Sequence, residues 1–101
     1  MSTVIVLFNL RPGVSAEAYE RWARATDLQV VNGLPSVLSF EVLKASGLLG
    51  GGATPYQYIE ILRLRDPAGL ARDLATEAMK RVAAEFQGFA DQPLFINTEA
   101  L

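Results

Sequence analysis

Neither cysteine nor histidine occurs in this 101-residue chain. The first absence excludes a disulfide, a thiolate metal site, a cysteine nucleophile and an iron–sulfur cluster. The second excludes a histidine-ligated haem, a histidine general base and a Ser-His-Asp triad within the chain itself. Chemistry therefore falls to carboxylates, tyrosine, lysine, arginine, amides and hydroxyls, and neither a metal nor a cofactor is expected. Charge of one sign is also scarce. Nine Lys and Arg against eleven Asp and Glu leave a formal net charge of -2, so neither nucleic acid nor an anionic membrane is an expected partner. No apolar run approaches membrane-spanning length, and the opening MSTVIVLFNLRPG lacks a basic leader and a small-residue cleavage site. It reads as a strand, with the cytoplasm as the expected location.

What is present is apolar: 50% of the residues are hydrophobic, enough for one packed domain spanning residues 1–101. The strongest strand signal is Tyr56 to Arg65, YQYIEILRLR. Alternation puts Tyr56, Tyr58, Glu60, Leu62 and Leu64 on one face and Gln57, Ile59, Ile61, Arg63 and Arg65 on the other. Both faces are largely apolar, so this strand is central and Glu60 is at least partly desolvated. A buried carboxylate needs a hydrogen-bond partner, a counter-charge or a raised pKa. Glu60 thus reads either as a structural acceptor or as a ligand-facing group.

Taken in order, Thr3 to Leu10 is a buried first strand with Asn9 near its exit, ended by Arg11-Pro12-Gly13. Ser15 is a good N-cap for a helix from about Ala16 to Val31, with Glu17–Arg21 and Glu20–Arg24 as i, i+4 pairs on its wet face. Tyr19, Trp22, Ala23, Thr26 and Val30 form its core stripe. Tyr19 and Trp22 read as core packing or as a pocket wall, since a buried phenol and a buried indole both want partners. Asp27 beside Arg24 has the bland reading of a surface pair. Asn32-Gly33 closes the helix, and Ser36 to Ala45 alternates as a second strand carrying Phe40. Ser46 to Pro55, SGLLGGGATP, is a glycine-rich loop that reads as a mobile hairpin connection and a candidate lid; it lacks the lysine and following helix of a P-loop. A symmetric loop would set Glu41 opposite Glu60, whereas a shift of one residue would send them to opposite faces. Asp66-Pro67 opens a short helix through about Leu74, and Thr76 caps its continuation. Met79, Val82, Ala83 and Phe86 form the next apolar stripe, Glu77, Arg81 and Glu85 an exposed ladder, Gly88 a stop, and Pro93 to Thr98 a last strand.

The order β-α-β-β-α-β predicts an α+β, ferredoxin-like fold: a four-stranded antiparallel sheet with two helices on one face. About half a dozen large apolar side chains on the bare face would each forfeit roughly 1.5–3 kcal/mol by staying wet. A homodimer, sheet against sheet about a two-fold axis, is the expected solution.

Several short stretches, taken together, resemble one family. They are Tyr19-x-x-Trp22 with Thr26-Asp27-Leu28, Leu34-Pro35-Ser36-Val37, Ser39-Phe40-Glu41-Val42, Gly47-Leu48-Leu49-Gly50, Pro55-Tyr56-x-Tyr58-Ile59-Glu60 and Ala84-Glu85-Phe86-Gln87-Gly88-Phe89-Ala90-Asp91. Their order and spacing are similar to those of the RedY-like, HapK-like family over nearly the whole chain. The resemblance implies a dimeric α+β barrel associated with prodigiosin-type pigments and other pyrrole- or indole-derived metabolites, and it carries no catalytic motif. The expected function is a small tailoring enzyme that binds an aromatic intermediate and assists proton transfer or cyclisation without a cofactor. A cofactor-free monooxygenase, a non-catalytic carrier of such an intermediate and a purely structural dimer remain as alternatives. Glu60, Asp27 and Asn9 are the candidate catalytic groups; Tyr19, Trp22, Phe40, Tyr58 and Phe86 are the candidate substrate-binding walls.

Overall fold

In the computed structural model, residues 2–101 are described. They form strand β1 (Ser2–Leu10), helix α1 (Ala16–Trp22), a π-helical segment (Ala23–Asp27), helix α2 (Leu28–Asn32), strands β2 (Val37–Lys44) and β3 (Tyr58–Leu64), a 3-10 turn (Pro67–Gly69), helices α3 (Leu70–Leu74) and α4 (Glu77–Phe89), and strand β4 (Ala90–Glu99). The four strands make one antiparallel sheet in the order β2-β3-β1-β4. The fold is α+β and ferredoxin-like, as the order of elements predicts.

Register assigns the faces. Val4, Val6 and Phe8 lie beside Leu62, Glu60 and Tyr58, and Val4 and Val6 lie beside Asn97 and Phe95 on the other flank. That face carries the core, in which Phe8, Tyr19, Tyr58, Val82 and Phe86 are all buried. Ile5, Leu7, Ile59 and Ile61 point the other way and are only half-buried, while Leu43, Leu94 and Ile96 on the same side are exposed.

Several local expectations are corrected. The helix expected over 16–31 is interrupted: the Leu28 amide donates to the Ala23 carbonyl, five residues back, so this turn holds one residue more than an α-turn. The core stripe accordingly runs Tyr19, Ala23, Asp27, Val31. Asp27 takes the inward position expected of Thr26 and is 4% exposed, not paired with Arg24 on the surface.

Glu41 lies opposite Ile61, and Glu60 opposite Val42. The loop is one residue off symmetric, so the two glutamates point to opposite faces and Glu41 pairs with Arg63 at 2.7 Å instead. Asp66 makes no side-chain cap, whereas Ser15 and Thr76 do cap, accepting from the Ala18 and Met79 amides. Gly88 lies inside α4, which runs to Phe89 and passes directly into β4. Within the expected exposed ladder, Glu85 accepts from the Trp22 indole Nε1 at 2.8 Å. The last strand starts earlier than Pro93; a register shift opposite Leu7 and Asn9, with Gln92 at φ 46, accommodates the proline at the sheet edge.

Candidate functional site

An apolar cavity of about 600 Å³ lies between the helices and the core face of the sheet, within the size range of small-molecule pockets. Val4 and Val6 of β1 and Leu62 of β3 form its floor; Val31, Met79, Val82 and Phe86 of the helices form its roof; Phe95 and Asn97 of β4 line its side. Phe40 reaches it from β2. Its backbone is clamped to the end of α2 by Asn32, whose side chain accepts from the Phe40 amide at 2.9 Å and donates to its carbonyl at 3.0 Å. The cavity's polar rim consists of Arg11, Gln87 and Gln92, all exposed.

Two acidic residues line this apolar space, Asp27 and Glu60. Strand alternation aims Glu60 inward from β3, and the wide π turn aims Asp27 inward from the helix opposite. They are 4% and 5% exposed. Neither Asp27 Oδ2 nor Glu60 Oε2 has a hydrogen-bond partner among the described residues, and the Tyr19 hydroxyl is also buried without one. Buried polar atoms are seldom left in this state, and two such carboxyls lining one cavity mark a place built for something polar.

Burial first, and then the nearby Asp27, push the Glu60 carboxyl up to about 8, while the Tyr19 phenol opposes the rise without reaching hydrogen-bond geometry. Burial likewise pushes Asp27 up to about 7. Tyr19 is held well above the ordinary phenol range, first by burial and then by the two carboxyls. With Glu60 raised to about 8 and Asp27 to about 7, the two carboxyls hold a proton between them near neutrality. A neutral acid beside a carboxylate, both screened from water, can give one proton and take another.

The other candidate residues fall in different places. Phe86 lines the cavity with Phe40, whereas Tyr19, Trp22 and Tyr58 are not among the lining residues. Phe8 stacks on Tyr58 at 5.5 Å between ring centroids and meets Tyr19 and Phe86 edge-on, at 5.5 and 5.0 Å. This aromatic block backs the site. Trp22 packs against Phe86 and Phe89 at its outer side. Asn9 lies at the far end of β1, where its side-chain amide donates to the Pro55 carbonyl at 3.0 Å and accepts from the Gln57 amide at 2.9 Å. It thereby ties down the base of the glycine-rich loop, whose positive-φ glycines 47, 51 and 52 form a turn closed by Leu48 and Gly52.

The residues that sequence reasoning passed over are Arg11 and Gln92, at the rim, and Phe95, at the side. Arg11 read only as a strand terminator. Phe95 was legible as a β residue of the last strand, but its face depends on the shift opposite Leu7. Among the described residues, no group of three or more His, Cys, Asp or Glu could hold a metal ion, and no helix is long and apolar enough to cross a membrane.

The family profile described as REDY-like protein HapK matches residues 2–101. Among solved structures, HapK from Hahella chejuensis is 29% identical and superposes with a TM-score of 0.80, covering 100% of this chain and 93% of its own. At3g17210 from Arabidopsis thaliana, 21% identical, superposes at 0.82 with coverages of 100% and 96%. A dimeric ferredoxin-like protein of unknown function from Thermobifida fusca, 14% identical, superposes at 0.76 with coverages of 98% and 90%. The last two likenesses speak to fold alone. No curated protein is significantly similar to the sequence.

Proposed function

This chain belongs to the REDY-like HapK family, and from that premise we propose that it is a small tailoring enzyme of secondary metabolism, acting on a pyrrole- or indole-type aromatic intermediate. The observation that carries the reading is the pair of buried, unpaired carboxyls, Glu60 and Asp27, facing an apolar cavity of about 600 Å³. Phe40 and Phe86 supply aromatic wall, and the acids meet the ligand's N–H and carbonyl groups. The ionised member of the pair accepts a proton from the ligand, and the neutral member donates one to the ligand's other end. The net change is a tautomerisation or the proton movements of a cyclisation, with no electrons exchanged.

Incubation of the purified protein with pyrrole, bipyrrole and indole carbonyl compounds, followed by product analysis, tests the reading. Turnover is expected in the wild type and its loss in Glu60→Gln with folding intact. Saturable binding with every ligand returned unchanged would instead establish a carrier.

The working unit is proposed to be a homodimer. Ile5, Leu7, Ile59, Ile61, Leu94 and Ile96 form an apolar surface on the uncovered sheet face, and the structurally similar Thermobifida fusca protein is described as dimeric. Sedimentation should give twice the chain mass, and Ile61→Glu should give monomers, because a charge at the centre of an apolar contact loses its hydration.

A further inference from the structure

The chemistry of the cavity's inner end is one-sided. Its buried polar atoms, Asp27 Oδ2 and Glu60 Oε2, are carboxyl oxygens without partners. The cation that lines the cavity is Arg11, at the exposed rim, where its Nε already donates to the Gln87 carbonyl at 2.7 Å. The amide side chains Gln87, Gln92 and Asn97 are likewise exposed. No basic group therefore stands where an anion could be received, while two acceptors converge on space large enough for a two-ring ligand. We infer that the inner end selects ligands that bury a cationic, N–H-bearing head, such as an amidinium or a protonated azole, and that it rejects carboxylates and phosphates.

This names the ligand class of the site proposed above and rests on that reading only in taking the cavity to be the binding site. A cation seated against the pair favours the ionised carboxyls, so its uptake lowers the proton occupancy of the two acids. The groups that act on Glu60 are known from each side. Tyr19 approaches from α1 and Asp27 from the π-helical segment; β1 and β2 set Val6 and Val42 beside it, and the α4 residues that line the cavity, Met79, Val82, Ala83, Phe86 and Gln87, carry no titratable group. Burial of both acids, which lifts them to about 7 and about 8, makes that proton measurable at neutral pH.

Calorimetry with three ligands of one shape and different heads decides the matter: 2-naphthamidine, 2-acetylnaphthalene and 2-naphthoate. Titrations at pH 7 in two buffers of different ionisation enthalpy count the protons exchanged. The amidine should bind roughly 10–100-fold more tightly than the ketone, the usual worth of a hydrogen bond to a charged group, with net proton release, and the naphthoate should not bind. Glu60→Gln and, as an independent variant, Asp27→Asn should each erase most of the amidine's advantage over the ketone and reduce proton release. Equal binding of all three heads, or amidine binding without proton release, would overturn the charge selection and leave an aromatic-binding cavity standing. Failure of all three to bind would remove the cavity as the site, and both readings with it. Amidine selection with proton release, in a protein that turns over no pyrrole or indole compound, would uphold this inference and refute the tailoring reading.

Discussion

Glu20 and Glu60 lie near two tyrosines of one aromatic block, Tyr58 and Tyr19, and have opposite surroundings. Glu20 Oε2 accepts from the Tyr58 hydroxyl at 2.6 Å and meets Lys44 Nζ at 2.8 Å, with Arg24 at 3.5 Å from its other oxygen. These partners, Lys44 and Tyr58 first, hold its carboxyl below the ordinary range. Glu60 has no such partner on Oε2, and burial holds it above that range. Asp73 shows that burial alone does not make the difference: it is 5% exposed, yet the Ser36 side chain and then the Ser36 amide, from which Oδ2 accepts at 2.8 Å, keep its carboxyl low. Carboxylates that hold this fold together are satisfied by the fold. The two buried carboxyls with an unpartnered oxygen among the described residues line the cavity, which is the physical ground for proposing that they meet a ligand.

The largest expected effect is on the pH dependence of stability, where the two glutamates should act with opposite sign. The folded protein holds the Glu60 proton more tightly than the unfolded chain does. Stability present below about pH 4.5 is therefore lost as pH rises toward about 8, by roughly 3–5 kcal/mol. Urea unfolding of the wild type at pH 5, 6.5 and 8 should show that loss, and Glu60→Gln should be the more stable protein at pH 8. A flat wild-type profile would mean that Glu60 is not isolated from water, and the comparison would collapse.

Next in size is Phe8→Ala. Phe8 is fully buried against Tyr19, Tyr58 and Phe86, so its truncation should cost about 3–5 kcal/mol. Because the cavity it leaves opens the block behind the site, ligand affinity should fall as well, read by calorimetry in the folded fraction. A smaller change is expected from Glu20→Gln. Its folded carboxyl is held low, so its contribution is present above the unfolded value and lost as pH falls. The variant should melt below the wild type at pH 7, match it in acid, and keep its ligand affinity. Loss of affinity in Glu20→Gln would merge the two regions into one functional unit. The smallest effect belongs to Glu41→Gln on the open face. The Glu41–Arg63 pair is about half exposed on each side, and its removal should change stability by less than about 1 kcal/mol.

Much of the frame was legible in the sequence. Alternation in YQYIEILRLR grouped Glu60 with Tyr58, Leu62 and Leu64 on one face, and caps at Ser15 and Thr76 came from local side-chain chemistry that operates within one turn. The failures share a cause as well. Asp27 read as a surface partner of Arg24 because a helix was counted at 3.6 residues per turn, and one π turn moved it inward. Glu41 stood opposite Glu60 only while the glycine-rich loop was taken as symmetric. Gly88 looked like a helix stop, but α4 ends where the chain must join the sheet edge, one residue later.

By itself, the sequence determined the order of elements, the apolar patterning of both sheet faces and the exclusion of cysteine and histidine chemistry within the chain. Those follow from residue type and from spacing along the chain. The tertiary structure alone decided that Glu60 faces Asp27 across a cavity and not Glu41 across a strand pair, and that Glu20 is answered by Lys44 and Tyr58 while Glu60 is left unanswered. The ionisation and use of a carboxyl depend on what packs opposite it, and that neighbour is brought there by register and helix phase, which a shift of one residue reverses.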